Sequence, residues 1–339
     1  MNVLVTGGAG FIGANYVLQR LKTTDDRVTL VDALTYAGNL ESLKSVEGNP
    51  SLTFERADIT DADAMTKIFE AAKPDVVVHF AAESHVDRSI LGPRVFTTTN
   101  VLGTQVLLDC SKQVGIERFV MVSTDEVYGS LGATGLFSET SPLKPSSPYS
   151  ASKAAADLVA LSYFHTFGMD VVVTRCSNNY GPLQFPEKLI PLMVINALED
   201  KPLPVYGDGM QIRDWIHVED HCAAIDTVLA KGKAGEVYNI GSQNERPNIE
   251  IVERILAHLD KPKSLIRHVE DRLGHDRRYA IDPTKTEGEL GWVPAKKFED
   301  ALPATIDWYL ANREWWERVR SGAYRDYFEA QYADRLADG

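Results

Sequence analysis

The sequence predicts an α/β fold, a doubly wound parallel sheet with a smaller, mostly helical C-terminal lobe. Three observations predict it. Short apolar runs alternate with amphipathic stretches through the first half, the rhythm of βαβ units. The runs Val76-Val77-Val78 and Phe119-Val120-Met121-Val122 are apolar on both faces, as strands covered on both sides are. After Pro182 the rhythm changes to helical segments between Pro- and Gly-rich loops.

Taken in order, residues 2–6 form a β-run and 11–22 have helical spacing. Residues 28–31 and 52–55 read as the second and third strands, 61–72 as a helix and 75–80 as the fourth strand. A long helical region covers 94–114, and 118–123 is the fifth strand. Residues 129–148 are rich in Gly, Ser, Thr and Pro and read as a loop. A helix at 149–167 and a sixth strand at 171–175 follow. Later helices are predicted near 188–199, 218–230, 249–259 and 298–318. There is no internal repeat, and only the last few residues read as a frayed tail.

A chain of 339 residues with 44% hydrophobic content can bury a sizeable core. A net charge of −13 disfavours nucleic acid and anionic membrane as partners, but permits a phosphate ligand in a locally positive pocket. No apolar run reaches membrane length, and the N-terminus runs straight into a strand without a basic-then-apolar leader. Cys110, Cys176 and Cys222 form no C-x-x-C pair, and His85, His217 and His275 are scattered, so no metal site is expected. Sparse cysteines suit a reducing compartment, and the expected location is cytoplasmic.

The first strand ends in Thr6-Gly7-Gly8-Ala9-Gly10-Phe11-Ile12-Gly13, a G-x-G-x-x-G at Gly8, Gly10 and Gly13. Alone that pattern is weak. Between a strand and a helix it is the fingerprint of a Rossmann-type dinucleotide site. The glycines allow a tight turn and close approach of backbone to a pyrophosphate, and the helix start directs N–H groups at it. Asp32 ends the second strand nineteen residues after Gly13, where a carboxylate accepts from ribose hydroxyls and repels a 2′-phosphate. NAD is therefore favoured over NADP. Asp58 follows the third strand, where an acid reaches the adenine edge or simply caps a helix.

The fifth strand ends in Ser123-Thr124-Asp125-Glu126, beyond the carboxyl ends of the strands where such sheets bind ligands. Tyr149 and Lys153 then form a Y-x-x-x-K on one helix face. A free phenol has a pKa of about 10, and a lysine cation and an oxidised nicotinamide both favour its phenolate. That phenolate can take an alcohol proton while hydride leaves the carbon. The pattern is common by chance on surface helices; the preceding dinucleotide fingerprint makes it functional.

TGGAGFIG, Asp32, HFAAESHVDRS, STDEVYG, YSASK and NNYGP together resemble the extended short-chain dehydrogenase/reductase superfamily. Within it the chain is most similar to the dTDP-glucose 4,6-dehydratases, over residues 1 to about 310. The segments 185–191, 211–215 and 274–279 resemble that family's nucleotide-sugar segments, and Thr124-Asp125-Glu126 is the discriminating motif. Departures are Ala14-Asn15 after the third glycine, Leu183 in place of a frequent aromatic, Leu273 in place of proline, and a short loop between Glu126 and Tyr149.

The resemblance implies a homodimer that uses NAD on a nucleotide-diphosphate sugar. Tyr149 would be the base toward the sugar 4-hydroxyl, Glu126 the base at C5 and Asp125 the acid toward the 6-hydroxyl. Thr124 would bond the C4 oxygen, and Lys153 would hold the nicotinamide ribose and lower the tyrosine pKa. Adjacent carboxyls serving as acid and base need their pKa values pushed apart. Gly7, Gly8, Gly10, Phe11, Ile12, Gly13, Asp32, Ala33, Leu34, Thr35, Asp58, Ile59, Phe80, Ala81, Ala82, Thr99 and Asn179 would join Tyr149 and Lys153 in the NAD site. Ser84, Thr124, Asn178, Lys188, Leu189, Pro204, Tyr206, Arg213, Asn248, Arg272, His275 and Tyr279 would hold the nucleotide sugar. The expected division is a dinucleotide domain at 1–180, completed by roughly 214–245, and a sugar-binding lobe at 181–213 and 246–339. Competing readings are a UDP-sugar 4,6-dehydratase, a 4-epimerase, a UDP-glucuronate decarboxylase, or a non-catalytic NAD-binding regulator on the same scaffold.

Overall fold

The computed structural model describes residues 1–320; the end of the second lobe's range and the tail, 321–339, lie outside the described residues. The chain opens with β1 (Asn2–Thr6), α1 (Phe11–Thr23), β2 (Arg27–Asp32), β3 (Leu52–Arg56), α2 (Ala62–Ala72) and β4 (Val76–His79). It continues through α3 (Val86–Leu91), α4 (Pro93–Thr97), α5 (Thr104–Val114), β5 (Arg118–Thr124), α6 (Pro148–Phe167) and β6 (Val171–Cys176). Then come β7 (Asn178–Tyr180), α7 (Leu189–Leu198), β8 (Leu203–Tyr206), β9 (Ile212–His217), α8 (Val218–Lys231), β10 (Val237–Ile240) and β11 (Glu245–Pro247). The described chain closes with α9 (Asn248–His258), β12 (Ile266–Val269), α10 (Thr284–Leu290), α11 (Phe298–Ala311) and α12 (Arg313–Val319).

Seven strands form one sheet in the order β10-β6-β5-β4-β1-β2-β3, and every pairing in it is parallel. From β1 the chain winds outward through β2 and β3; from β4 it winds the other way. The strand order therefore reverses between β1 and β4, the point where open α/β sheets bind ligands. Both faces of the sheet are covered. One packs against α1 and α8, with Tyr16, Val17, Cys222 and Ile225 buried. The other packs against α2, α5 and α6, with Phe69, Leu107 and Ala160 buried. This two-sided cover explains why the strands read as continuous apolar runs. A third core joins α7, α9, α11 and α12 through Ile190, Ile255, Ile306 and Trp316.

Two glycines set the approach of α1 to the sheet. Gly7 has φ +69°, and a Cβ there would lie 2.5 Å from the Ala81 nitrogen. A Cβ on Gly13 would lie 2.3 Å from the Gly7 carbonyl oxygen. Both contacts are with backbone, which cannot swing aside.

The structure adds detail to the sequence reading. The helical region expected at 94–114 is α4 and α5 joined by a π-helical segment, Thr98–Gly103. α3 precedes it, set off by Gly92. Beside the main sheet stand a three-stranded sheet, β11-β9-β7, and a two-stranded one, β12-β8. Most of these strands are too short for alternation to register. Phe69 is fully buried between α2 and the sheet. Phe69→Ala is expected to lower unfolding stability by about 3–5 kcal/mol in urea titration; a loss below about 1 kcal/mol would contradict this packing.

Candidate functional site

The carboxyl ends of β1, β2, β4, β5 and β6 open onto one long cleft, whose wall runs from Gly7–Gly13 through Asp32, Ala81 and Thr124 to Cys176. A second cavity, built by the C-terminal lobe, joins it. Ser84, Glu126, Asn178, Glu187 and Lys188 line both.

Local structure places each group. α1 starts at Gly10, which offers no side-chain cap, so the first N–H groups face the cleft. Asp32 accepts from the Ala9 N–H at 3.0 Å and the Leu34 N–H at 2.8 Å, and burial still raises its pKa. Pro148 opens α6 under a Ser147–Ser150 capping box, which fixes Tyr149 in the first helical turn. One turn on, the Lys153 ammonium donates to the Val122 carbonyl at 2.8 Å. Tyr149 and Lys153 are buried beside β5. Thr124 lies close enough to the Tyr149 hydroxyl to pull its pKa downward, and it accepts from the Glu126 N–H at 3.2 Å.

The two acids differ in surroundings. Asp125 is buried at 1% exposure. Burial, then the charges of Glu126 and Asp214, push its pKa well above the ordinary carboxylate value. Glu126 faces both cavities. Burial raises its pKa too, but Arg272, Arg213 and Lys188 all pull it back. The separation demanded of the pair thus has a physical source. Burial and the Glu126 charge raise the Tyr149 phenol pKa well above its ordinary value, and Thr124 opposes them. Lys153, whose own charge is disfavoured by burial, is held at the Val122 carbonyl.

Every cofactor residue named from sequence lines the first cavity except Gly8 and Leu34. Gly8 faces inward instead, where a Cβ would meet Leu30 at 2.7 Å. Leu34 has φ +52° and contributes its N–H to Asp32. Of the sugar-binding set, Thr124 lines the first cavity and all the others except Tyr279 line the second. Tyr279 is not among the residues lining either cavity: the Arg213 guanidinium stacks 4.3 Å from its ring centroid, and it donates to Asp276. Leu273 is 77% exposed, so that departure lies away from both cavities.

Sequence reasoning missed several wall residues. Glu83 and His85 sit inside the quoted HFAAESHVDRS run, and Phe185 and Glu187 inside 185–191. Asp87, from the same run, accepts from the Tyr206 hydroxyl at 3.0 Å and lies 3.6 Å from Arg272. A charged residue within a recognised motif was the available signal. Cys176 and Ser177 carried none.

The raised Asp125 pKa has a stability consequence. A carboxyl with a raised folded pKa contributes stability below its unfolded pKa and loses it as pH climbs toward the folded value. Asp125→Asn is therefore expected to raise the melting temperature at pH 8 while making little difference at pH 4. An equal shift at both pH values would overturn the assignment.

The family model described as GDP-mannose 4,6 dehydratase matches residues 4–305. A dTDP-glucose 4,6-dehydratase of Xanthomonas campestris pv. campestris (strain B100) is 54% identical over 340 residues, spanning 95% of this chain and 97% of its own. One from Escherichia coli (strain K12) is 51% identical, spanning 99% of this chain and all of its own. Among solved structures, DesIV, a dTDP-glucose 4,6-dehydratase from Streptomyces venezuelae solved with NAD and TYD bound, superposes with TM-score 0.92 at 52% identity, covering 94% of this chain and 100% of that one. A UDP-glucose 4-epimerase from Thermotoga maritima reaches TM-score 0.86 at 30% identity, covering 92% of this chain and 100% of that one. With the acid pair in the turn that follows β5, the tyrosine–lysine pair on α6 and this likeness along nearly its whole length, the chain belongs to the 4,6-dehydratase family, and within it to the dTDP-glucose 4,6-dehydratases.

Proposed function

We propose that the chain converts dTDP-glucose to dTDP-4-keto-6-deoxyglucose and water, with NAD as its resident cofactor. One observation carries the reading: Thr124, Asp125, Glu126 and Tyr149 meet on the wall where the dinucleotide cleft joins the second cavity. The uncapped start of α1, the Asp32 carboxylate and the close-approach glycines fit a dinucleotide. Arg213, Arg272 and Lys188 around the second cavity fit the diphosphate of the sugar nucleotide.

When bound, NAD accepts hydride from the sugar C4 and returns it to C6. Tyr149 takes the 4-hydroxyl proton, with Thr124 bonding the same oxygen. The resulting ketone acidifies the C5 proton, and Glu126, whose ionised form its three cations favour, removes it. Asp125, whose protonated form burial favours, gives its proton to the 6-hydroxyl, which leaves as water. Glu126, its proton having exchanged with solvent, then reprotonates C5. The proton held by Tyr149 replaces the one lost by Asp125, so the cycle closes.

Residues 1–180 with 214–245 form the dinucleotide half in this reading, and 181–213 with 246 onward the sugar half. The working unit is a homodimer. Supporting it, Leu91, Val95, Leu102 and Leu158 lie 71%, 47%, 47% and 59% exposed on the neighbouring helical segments α3 to α6. The three cysteines are free and buried, which suits a cytoplasmic protein.

Parallel incubation with dTDP-glucose and UDP-glucose in D₂O, followed by mass analysis, tests the substrate. Loss of one water with deuterium gained at C5 is expected from dTDP-glucose; a product of unchanged mass would refute dehydration. Glu126→Gln is expected to slow C5 exchange by about 10²–10⁴-fold while NAD stays bound. Exchange at the unmodified rate would remove Glu126 as the base. Light scattering is expected to return twice the chain mass, and Leu158→Glu to return a single chain.

A further inference from the structure

One cluster beside the cleft has no part in the chemistry above. Tyr36 lies in the segment after β2 whose Thr35, Ala37 and Gly38 line the dinucleotide cleft. The guanidinium of Arg88, on α3, rests on the Tyr36 ring 3.8 Å from its centroid. Arg88 Nε donates to Glu187 Oε2 at 3.2 Å, and burial, then the charge of the same carboxylate, raise the Tyr36 phenol pKa. Phe185 meets Tyr36 edge-on, with centroids 5.8 Å apart. The Glu187 side chain is 1% exposed, yet the residue lines both cavities. Three segments remote in sequence are thus joined through one stacked, ion-paired arginine.

We propose that Tyr36, Arg88 and Glu187 form a clasp that retains the dinucleotide between the two hydride transfers. This rests on the NAD reading above. The need follows from the chemistry: hydride taken from C4 goes back to C6 of the same sugar, so a cofactor that left midway would strand the intermediate. The clasp ties the segment after Asp32, on the adenosine side, to residues 184–188, which close the nicotinamide and sugar side. Separating them breaks a cation–π stack and strips a buried carboxylate of its partners, both unfavourable. Neither Tyr36 nor Arg88 lines either cavity, so retention and chemistry are separable in mutants.

The experiment measures NAD dissociation from the purified holoenzyme by dilution into a trapping dehydrogenase, alongside kcat at saturating added NAD. Arg88→Met and Tyr36→Leu are expected to release NAD about tenfold faster, the size of one desolvated cation–π contact. Their kcat at saturating NAD is expected within about threefold of the unmodified enzyme, a change smaller than the tenfold retention effect. Tyr36→Phe keeps the stack and is expected to restore most of the retention. If both disruptive variants hold NAD as the unmodified enzyme does, or lose kcat with retention unchanged, the clasp is wrong and the NAD reading stands. An unmodified enzyme that takes up no NAD overturns the parent reading and the clasp with it.

Discussion

The structure depends on keeping two neighbouring carboxyls, Asp125 and Glu126, out of bulk water at the end of a central strand. Two like charges in such a place repel, and each loses hydration. The dinucleotide-binding half cannot answer this alone. Of the cations that act on Glu126, Lys188 precedes α7, Arg213 sits on β9 and Arg272 follows β12, all from the second half of the chain. The dependence runs both ways. Lys188 and Arg213 are themselves penalised by burial, and Glu126 is among the charges that favour their ionised forms. The C-terminal lobe therefore completes the acid pair electrostatically as well as building the second cavity.

Beneath the acids lies a second buried charge arrangement. Tyr149, Lys153 and Asp157 fall at successive four-residue steps on α6. Asp157 pairs with Arg175 on β6 at 2.9 Å, Arg175 donates to the Tyr128 hydroxyl at 3.0 Å, and Tyr128 donates to Asn239 on β10 at 2.7 Å. This chain ties α6 to β6, β10 and the turn that follows β5. Asp157 is also the first charge that counters the burial penalty on Lys153. The rigidity of the site thus comes from satisfied polar groups as well as apolar packing.

Much of this was legible in the sequence because the signals are local. Gly7, Gly10, Gly13 and Asp32 are read from spacing along a strand–turn–helix, and Tyr149 and Lys153 from one helical repeat. The misses are non-local. The stacking of Tyr279 on the Arg213 guanidinium is visible only in the packing. The paired strands β7, β9 and β11 are three to six residues long, and partners far along the chain stabilise them. The contact of Lys153 with β5 was out of reach for the same reason. Spacing placed the ammonium correctly, but its engagement with the Val122 carbonyl is a tertiary fact.

The division of labour between the acids follows from direction. Both sit at the start of one short 3₁₀ turn, Asp125–Tyr128, so backbone position alone does not distinguish them. Asp125 lines the dinucleotide cleft only and is 1% exposed; Glu126 and Asp214 are its main charged neighbours, and Arg213 is the cation opposing them. Glu126 points into the cavities, where three cations act on it. A proton is held more firmly in the first environment than in the second. Exchanging the two side chains in sequence would not exchange their roles, because the cations belong to the position and not to the residue. The more deeply buried position favours a neutral carboxyl able to donate; the one lining both cavities favours a carboxylate able to accept. Acid and base are thus told apart with the help of the second half of the chain, which supplies Lys188, Arg213 and Arg272.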